Sequence, residues 1–317
     1  MNLLVTGGCG FIGSNFIKFV LGEKSDFVSS VVNVDSLTYA GNIANTVEFN
    51  FDEKYKFEKI DIRDVENIER IFNEYSITHV CHFAAESHVD NSIADPGAFI
   101  ETNIVGTFNL LNAAKKFGIE RFHHVSTDEV YGDLGDTGFF AEDTPYDPRN
   151  PYSASKASSD FLVKAYANTY KLPVTISNCS NNYGPHQHQE KFIPTVIRSI
   201  LNGDKVPVYG DGTNVRDWIY VDDHCSGVWA VLNSGLLGET YCIGSMCEKR
   251  NIDVVIEICQ ALNVKPNDYI SFVEDRAGHD YRYAINNAKI VDNLGWQHSI
   301  EFVDGIKKTV EWYSERS

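Results

Sequence analysis

Short apolar runs and amphipathic stretches take turns through the first half of the chain. The runs at 2–6 (NLLVT), 30–35 (SVVNVD), 56–60 (KFEKI), 78–84 (THVCHFA), 122–126 (FHHVS) and 174–179 (VTISNC) are bounded by polar or turn-forming residues and read as strands. Between them, 98–118 carries Phe99, Ile104, Phe108, Leu111 and Ala114 at helical spacing, and 153–171 (SASKASSDFLVKAYANTYK) is a second amphipathic stretch. Strands that alternate with helices predict a doubly wound parallel sheet covered on both faces. Ligands of such sheets lie beyond the carboxyl ends of the strands.

From about residue 180 the texture changes. NNYGPHQHQEKFIP is loop-rich, VPVYGDGTNVRDWIYVDDH reads as strand, glycine turn and strand, and RNIDVVIEICQALNV and EFVDGIKKTVEWYSERS read as helices. Residues 1–179 are therefore expected to build the sheet domain, with a later segment at about 213–235 returning to it. Residues 180–317 are expected to form a smaller mixed α/β lobe packed closely against it.

The first predicted strand runs into VTGGCGFIG, with Gly7, Gly10 and Gly13 spaced to open a helix. Glycines there make a tight turn and let main-chain N–H groups approach a pyrophosphate at the helix N-terminus. Asp35 ends the next strand at the distance a dinucleotide fingerprint requires, and would accept hydrogen bonds from a ribose diol. This predicts a Rossmann-type fold. The following SLTYAGN holds no Arg or Lys to meet a 2′-phosphate, so NAD is expected over NADP. Asp61, closing the third strand, is placed either to meet the adenine or to face solvent as a loop carboxylate.

Candidate chemistry lies in RFHHVSTDEVYG, where a strand ends in Ser126, Thr127, Asp128 and Glu129, and in PYSASKASSD, which carries Tyr152 and Lys156. At i and i+4 of a helix the phenol and the ammonium share one face. A neighbouring ammonium lowers a phenol's pKa and makes it a base for an alcohol proton.

The net charge of −17 argues against broad binding to nucleic acid or anionic membranes. No apolar run approaches the ~20 residues of a membrane span. MNLLVTGGCGFIG lacks the basic start and apolar stretch of a secretory signal, so a cytoplasmic protein is expected. Seven scattered cysteines without a C-x-x-C pair point to reduced thiols. The pairs His79/His82, His123/His124 and His186/His188 have no cysteines at zinc spacing, so no metal is expected.

AAESHVDNSI, ETNIVGT, STDEVYG, PYSASKASSD, NCSNNYGP, EKFIP, VPVYGDGTNVRDWIYVDDH and GHDYRYAI resemble, along essentially the whole chain, the nucleotide-sugar dehydratases of the extended short-chain dehydrogenase/reductase family. The resemblance implies a homodimer that keeps NAD through its cycle. It extends the cofactor set from Gly7, Gly10, Gly13, Asp35 and Asp61 to Phe11, Ile12, Ser36, Leu37, Thr38, Ile62, Phe83, Ala84, Ala85, Ser87, Thr102, Ser126, Tyr152, Lys156 and Asn182. The catalytic set it implies is Thr127, Asp128, Glu129, Tyr152 and Lys156. Tyr152 with Lys156 takes the C4–OH proton, Thr127 hydrogen-bonds the C4 oxygen, Glu129 removes the C5 proton, and Asp128, its pKa raised by burial and by Glu129, protonates the leaving C6 hydroxyl. The implied substrate residues are Ser87, Thr127, Asn181, Lys191, Phe192, Pro207, Val208, Tyr209, Arg216, Asn251, Asp275, Arg276 and His279.

The reaction implied is a hydro-lyase conversion of dTDP-glucose to its 4-keto-6-deoxy sugar. Departures at Asn91, His186, His188, Gln189 and Ala277 keep UDP-glucose and UDP-N-acetylglucosamine open as alternatives. A 4-epimerase of the same fold has no need of the adjacent Asp128 and Glu129. A non-catalytic NAD-binding protein has no need of Thr127, Tyr152 and Lys156 together.

Overall fold

The computed structural model describes residues 1–275 and 280–316. In chain order its strands are β1 (Asn2–Thr6), β2 (Ser30–Asp35), β3 (Tyr55–Lys59), β4 (His79–His82), β5 (Arg121–Thr127), β6 (Val174–Cys179), β7 (Asn181–Tyr183), β8 (Val206–Tyr209), β9 (Val215–Tyr220), β10 (Thr240–Ile243), β11 (Glu248–Arg250) and β12 (Ile270–Val273). The helices are α1 (Phe11–Glu23), α2 (Val65–Glu74), α3 (Val89–Ala94), α4 (Pro96–Phe99), α5 (Thr107–Phe117), α6 (Pro151–Tyr170), α7 (Phe192–Leu201), α8 (Val221–Ser234), α9 (Asn251–Ala261), α10 (Ala288–Leu294) and α11 (Phe302–Ser314).

Seven parallel strands form the main sheet in the order β10-β6-β5-β4-β1-β2-β3, a Rossmann-type arrangement. Successive side chains of a strand point to opposite faces, so a sheet covered on both sides needs apolar residues at nearly every position. Thus Leu3 and Val5 pack with Phe16, Val228 and Trp229 of α1 and α8, while Leu4 packs with Phe72, Leu110 and Val163 of α2, α5 and α6.

The seventh strand comes from Thr240–Ile243, later in the chain than the segment expected to return to the sheet. Within that segment, α8 packs on α1, but β9 pairs with β7 and β11 in a separate three-stranded sheet. A third sheet pairs β8 with β12. Tyr183, Ile193, Trp218, Val254 and Phe302 form the core beneath these small sheets. The free edge of β10 is blocked: the Cys242 N–H donates to Glu142 Oε1 at 2.8 Å.

The stretch expected as one helix over 98–118 is broken. A π turn at Ile100–Gly106 separates α4 from α5. The wider turn rotates the following face, so Phe108 is 43% exposed and Leu110 lies inside. The same turn aims Thr102 and Asn103 toward the carboxyl edge of the sheet. Asn103 clamps the loop after β4 there: its Oδ1 accepts from Glu86 N–H at 2.8 Å and its Nδ2 donates to Glu86 O at 3.0 Å.

Candidate active site

The turn between β1 and α1 is shaped for a phosphate. Gly7 has φ +72°, and a Cβ there would lie 2.7 Å from the Ala84 nitrogen. A Cβ on Gly13 would lie 2.3 Å from the Gly7 carbonyl oxygen, so the helix packs directly onto the turn. Gly10 caps α1 without a side chain, and the first turn holds no acidic residue. The positive helix end and its main-chain donors therefore remain for an anion.

At the end of β2, Asp35 accepts from Cys9 N–H at 2.9 Å through Oδ2 and from Leu37 N–H at 2.8 Å through Oδ1. Burial pushes its pKa up, and these two hydrogen bonds oppose the shift. Leu37 itself adopts a left-handed conformation, φ +56°.

A cavity of about 400 Å³ opens over the carboxyl edge of the sheet. Its wall includes every expected dinucleotide residue but one: Gly7, Gly10, Phe11, Ile12, Gly13, Asp35, Ser36, Thr38, Asp61, Ile62, Phe83, Ala84, Ala85, Ser87, Thr102, Ser126, Tyr152, Lys156 and Asn182. Leu37 is the exception; its N–H donates to Asp35. Asp61 pairs in bidentate fashion with Arg63, Nη2 to Oδ2 at 2.6 Å, and that hydrogen-bonded cation holds its carboxyl below the usual range. The wall also contains Ala40, Gly41, Arg63, Glu86, Cys179, Gln187 and His188, which the sequence did not single out as ligand-binding. Most lie within a few residues of a motif already recognised, and that adjacency was the only signal available.

β5 delivers the candidate proton-transfer groups. The strand ends at Thr127, and a tight turn follows at Asp128–Tyr131 with the Glu129 N–H donating to Thr127 Oγ1 at 3.3 Å. Thr127 in turn donates to Asp128 Oδ1 at 3.3 Å. Asp128 is 2% exposed, and its Oδ2 has no hydrogen-bond partner among the described residues. Burial, then Glu129 and Asp217, push its pKa well above the carboxylate range. Glu129 is also pushed up by burial, but Lys191 and Arg216 oppose the shift.

α6 delivers Tyr152 and Lys156. Asn150 and Ser153 form a reciprocal capping box and Pro151 occupies the first turn, which fixes where the helix begins. Lys156 Nζ donates to Val125 O at 2.8 Å. The expected lowering of the Tyr152 pKa by Lys156 is not found. Burial, then Glu129 and Cys179, push the phenol well above its ordinary value, and the Thr127 hydroxyl opposes them. Lys156 directs its ammonium at a carbonyl of β5, and burial pulls its own pKa down.

Of the expected substrate residues, Ser87, Thr127, Asn181 and Lys191 reach the cavity, and Lys191 Nζ donates to Ser87 O at 3.1 Å. The other described ones lie outside its wall. Phe192 stacks on Trp218, Val208 is buried in the core of the smaller lobe, and Pro207 and Tyr209 are exposed. Arg216 is buried, with its guanidinium donating to the carbonyls of Val215, Asp280 and Tyr281 and lying over the Tyr283 ring. Asn251 opens α9 and Asp275 is exposed. Arg276 and His279, like the departure at Ala277, lie outside the described residues. Asn91 is exposed on α3, and His186 pairs with Asn45 at 2.9 Å.

No group of three or more His, Cys, Asp or Glu among the described residues is arranged to hold a metal. None of their helices is long and apolar enough to cross a membrane.

Fold and site define a nucleotide-binding α/β protein with candidate proton-transfer side chains at the carboxyl edge of its sheet. Residues 4–309 match the GDP-mannose 4,6 dehydratase family, and the chain belongs to that family. It is 50% identical to the dTDP-glucose 4,6-dehydratase of Neisseria meningitidis serogroup B over 331 residues, covering 98% of this chain and 92% of that one. It is also 50% identical to dTDP-glucose 4,6-dehydratase 1 of Escherichia coli K12, covering 99% and 92%. Among solved structures, the dTDP-glucose 4,6-dehydratase DesIV of Streptomyces venezuelae, with NAD and TYD bound, superposes with a TM-score of 0.96 at 45% identity, covering 99% of this chain and 97% of that one. The NAD complex of a UDP-glucose 4-epimerase from Thermus thermophilus gives 0.91 at 30% identity, each chain covered in full.

Proposed function

We propose that the chain is an NAD-dependent nucleoside-diphosphate-hexose 4,6-dehydratase that acts on dTDP-glucose. The observation that carries this reading is the unequal surroundings of two adjacent carboxyls. Asp128 is buried beside the acids Glu129 and Asp217, which push its pKa further up, with Arg216 opposing; Glu129 is also raised by burial and by Asp280, but Lys191 and Arg216 offset part of that shift. Both carboxyls are raised by burial, but the shift is larger at Asp128 and partly offset by cations at Glu129, so the proton resides first on Asp128; an elimination needs such a pair, one as acid and one as base. A 4-epimerase makes no such demand. The relatives at about half identity carry the same activity in their names, which supports the reading.

The site fits NAD. The glycine cradle leaves no room for a Cβ at Gly7 or Gly13, Asp35 stands at the end of β2, and Asn182 Oδ1 on the cavity wall has no partner among the described residues. Gly7, Gly10 and the start of α1 would hold the pyrophosphate and Asp35 a ribose. Bound there, NAD supplies a positively charged ring that takes a hydride from C4 of the hexose and gives it back at C6.

The chain's own groups move the protons. Tyr152 takes the proton of the C4 hydroxyl, and Thr127 hydrogen-bonds the C4 oxygen. The C4 ketone acidifies C5–H. Glu129 removes that proton, and Asp128 delivers its own to the departing C6 oxygen, so one water leaves; once C6 has regained a hydride, Glu129 gives a proton back to C5. Lys191 and Ser87, both on the cavity wall, orient the sugar diphosphate.

We infer further that the protein works as a homodimer in the cytoplasm. Ile100, Phe108 and Phe161 leave apolar surface on the side of α4, α5 and α6 away from the sheet, at 50%, 43% and 58% exposure. All seven cysteines are unpaired, as a reducing compartment favours.

Incubation with dTDP-glucose, UDP-glucose and UDP-N-acetylglucosamine, followed by mass spectrometry, tests the reading. Loss of one water from dTDP-glucose with formation of a 4-keto product is expected. Conversion of a sugar to its C4 epimer without mass change would replace it.

A further inference from the structure

Asp160 lies one turn beyond Lys156 on α6, is wholly buried, and has no part in the steps above. A carboxylate taken out of water needs donors or a cation, or it takes up a proton. Asp160 has both. Its Oδ2 accepts from the Ser126 hydroxyl at 2.9 Å and from the Tyr146 hydroxyl at 2.9 Å, with Asn178 Nδ2 at 3.5 Å. Its Oδ1 lies 3.1 Å from His124 Nε2. Burial pushes the Asp160 pKa up, but His124, Lys156 and Ser126 outweigh it and hold the group below its ordinary value. The core thus keeps a negative charge directly beneath the cavity floor.

Lys156 lies one turn earlier on the same helix, and the two charges act on each other across the core without direct contact. Lys156 Nζ donates to Val125 O. Four titratable groups act on it: Asp160 from its own helix, Cys179 at the end of β6, His124 on β5 and His82 on β4. The two imidazoles sit 5.2 Å apart, and burial lowers the pKa of both, with Asp160 opposing the shift at His124. Burial likewise pushes the Cys179 thiol up to about 12. Asp160 is left as the anion opposite Lys156 among these groups. On its other sides Asp160 faces the phenols of Tyr146 and Tyr131, the hydroxyl of Ser126 and the amide of Asn178.

We infer that Asp160 is a positioning residue for the reaction: it is the buried counter-ion that keeps Lys156 an ammonium one turn from Tyr152. It also takes the hydroxyl hydrogen of Ser126, so that this oxygen turns its lone pairs to the cavity. The inference deepens the dehydratase reading and rests on Lys156 acting in it.

The test follows Lys156 itself. Protein carrying its copurified cofactor is labelled with [13Cε]lysine and titrated by NMR, and the Lys156 signal is assigned by its loss in Lys156→Arg. The wild-type signal should remain that of an ammonium through neutral pH. In Asp160→Asn, which keeps an acceptor for Ser126 and Tyr146, its midpoint should fall by about one to three pH units. Asp160→Glu, which restores the charge, should bring it back. In Asp160→Asn the alkaline limb of kcat should move down by the same amount with KM little changed.

An unmoved Lys156 midpoint, or a kcat reduced equally at every pH, would overturn the proposal. So would a neutral amine at about pH 7 in the wild-type protein, whether or not the variants fold. If no nucleotide sugar loses water, the dehydratase reading fails, and the NMR titration still decides whether Asp160 and Lys156 are ion partners.

Discussion

Lys156 Nζ and the main-chain oxygen of Val125 are joined at 2.8 Å, which ties the middle of α6 to the strand that ends in Thr127. Tyr152 and Thr127 are thereby kept in register across two elements. Removing the phenol oxygen should leave this scaffold intact and stop only the oxidation. With Tyr152→Phe, no near-ultraviolet absorbance of reduced cofactor should appear on adding dTDP-glucose, while the melting temperature stays close to wild type. Normal cofactor reduction by this variant would remove Tyr152 from the mechanism.

Glu129→Gln keeps shape but cannot take the C5 proton. Oxidation at C4 should survive, and water loss should slow by roughly 10²–10⁴-fold, as is typical for loss of a general base. The variant should accumulate reduced cofactor. With C5-deuterated substrate, wild-type protein should release the label to solvent and Glu129→Gln should retain it. Wild-type rates of dehydration in the variant would reassign the base.

Asp128 offers a prediction about stability. Its folded-state pKa is raised by burial first and by Glu129 and Asp217 next. A raised carboxyl favours the fold at pH values below its unfolded pKa, and that advantage is lost as pH rises through the folded value. Asp128→Asn has no such loss. Melting temperatures of variant and wild type should diverge in the variant's favour as pH climbs from about 4 to about 8. Dehydration should meanwhile fall, because the amide cannot supply the C6 oxygen with a proton. Parallel melting curves across that range would show that Asp128 is not buried as an acid.

The exposed rings Phe108 and Phe161 bear on assembly. Sedimentation at micromolar concentration should give a dimer, and Phe161→Glu should shift it to monomer by placing a charge in an apolar contact. A wild-type monomer would refute the homodimer.

What the sequence made legible was local chemistry. The glycines at 7, 10 and 13, the Thr127–Glu129 run and the Tyr152/Lys156 pair each act within a few residues of one another, so their spacing carries their geometry. Contacts made across lobes do not leave that trace. Tyr209 and Asn251 belong to segments whose approach to the cavity depends on how the smaller lobe packs, and in this structure they stand outside its wall. The π turn shows a second limit. Phe99 and Ile104 are five residues apart, a spacing that an α-helical reading absorbs with a small misfit, although it marks the wider turn. The direction of the Tyr152 pKa shift was not legible either, because it depends on burial and on Glu129, which only the packed cavity brings against the ring.

The placement of β10 has a consequence for the chain's birth. During synthesis β6 is complete at Cys179, but the strand that closes its outer side begins at Thr240. Translation at about 5–20 residues per second leaves that side unpaired for several seconds. For that interval the nascent sheet presents an apolar strand with free donors and acceptors, the kind of edge on which chains aggregate. Glu142, already made, waits to accept the Cys242 N–H and shut the sheet against further strands once β10 arrives.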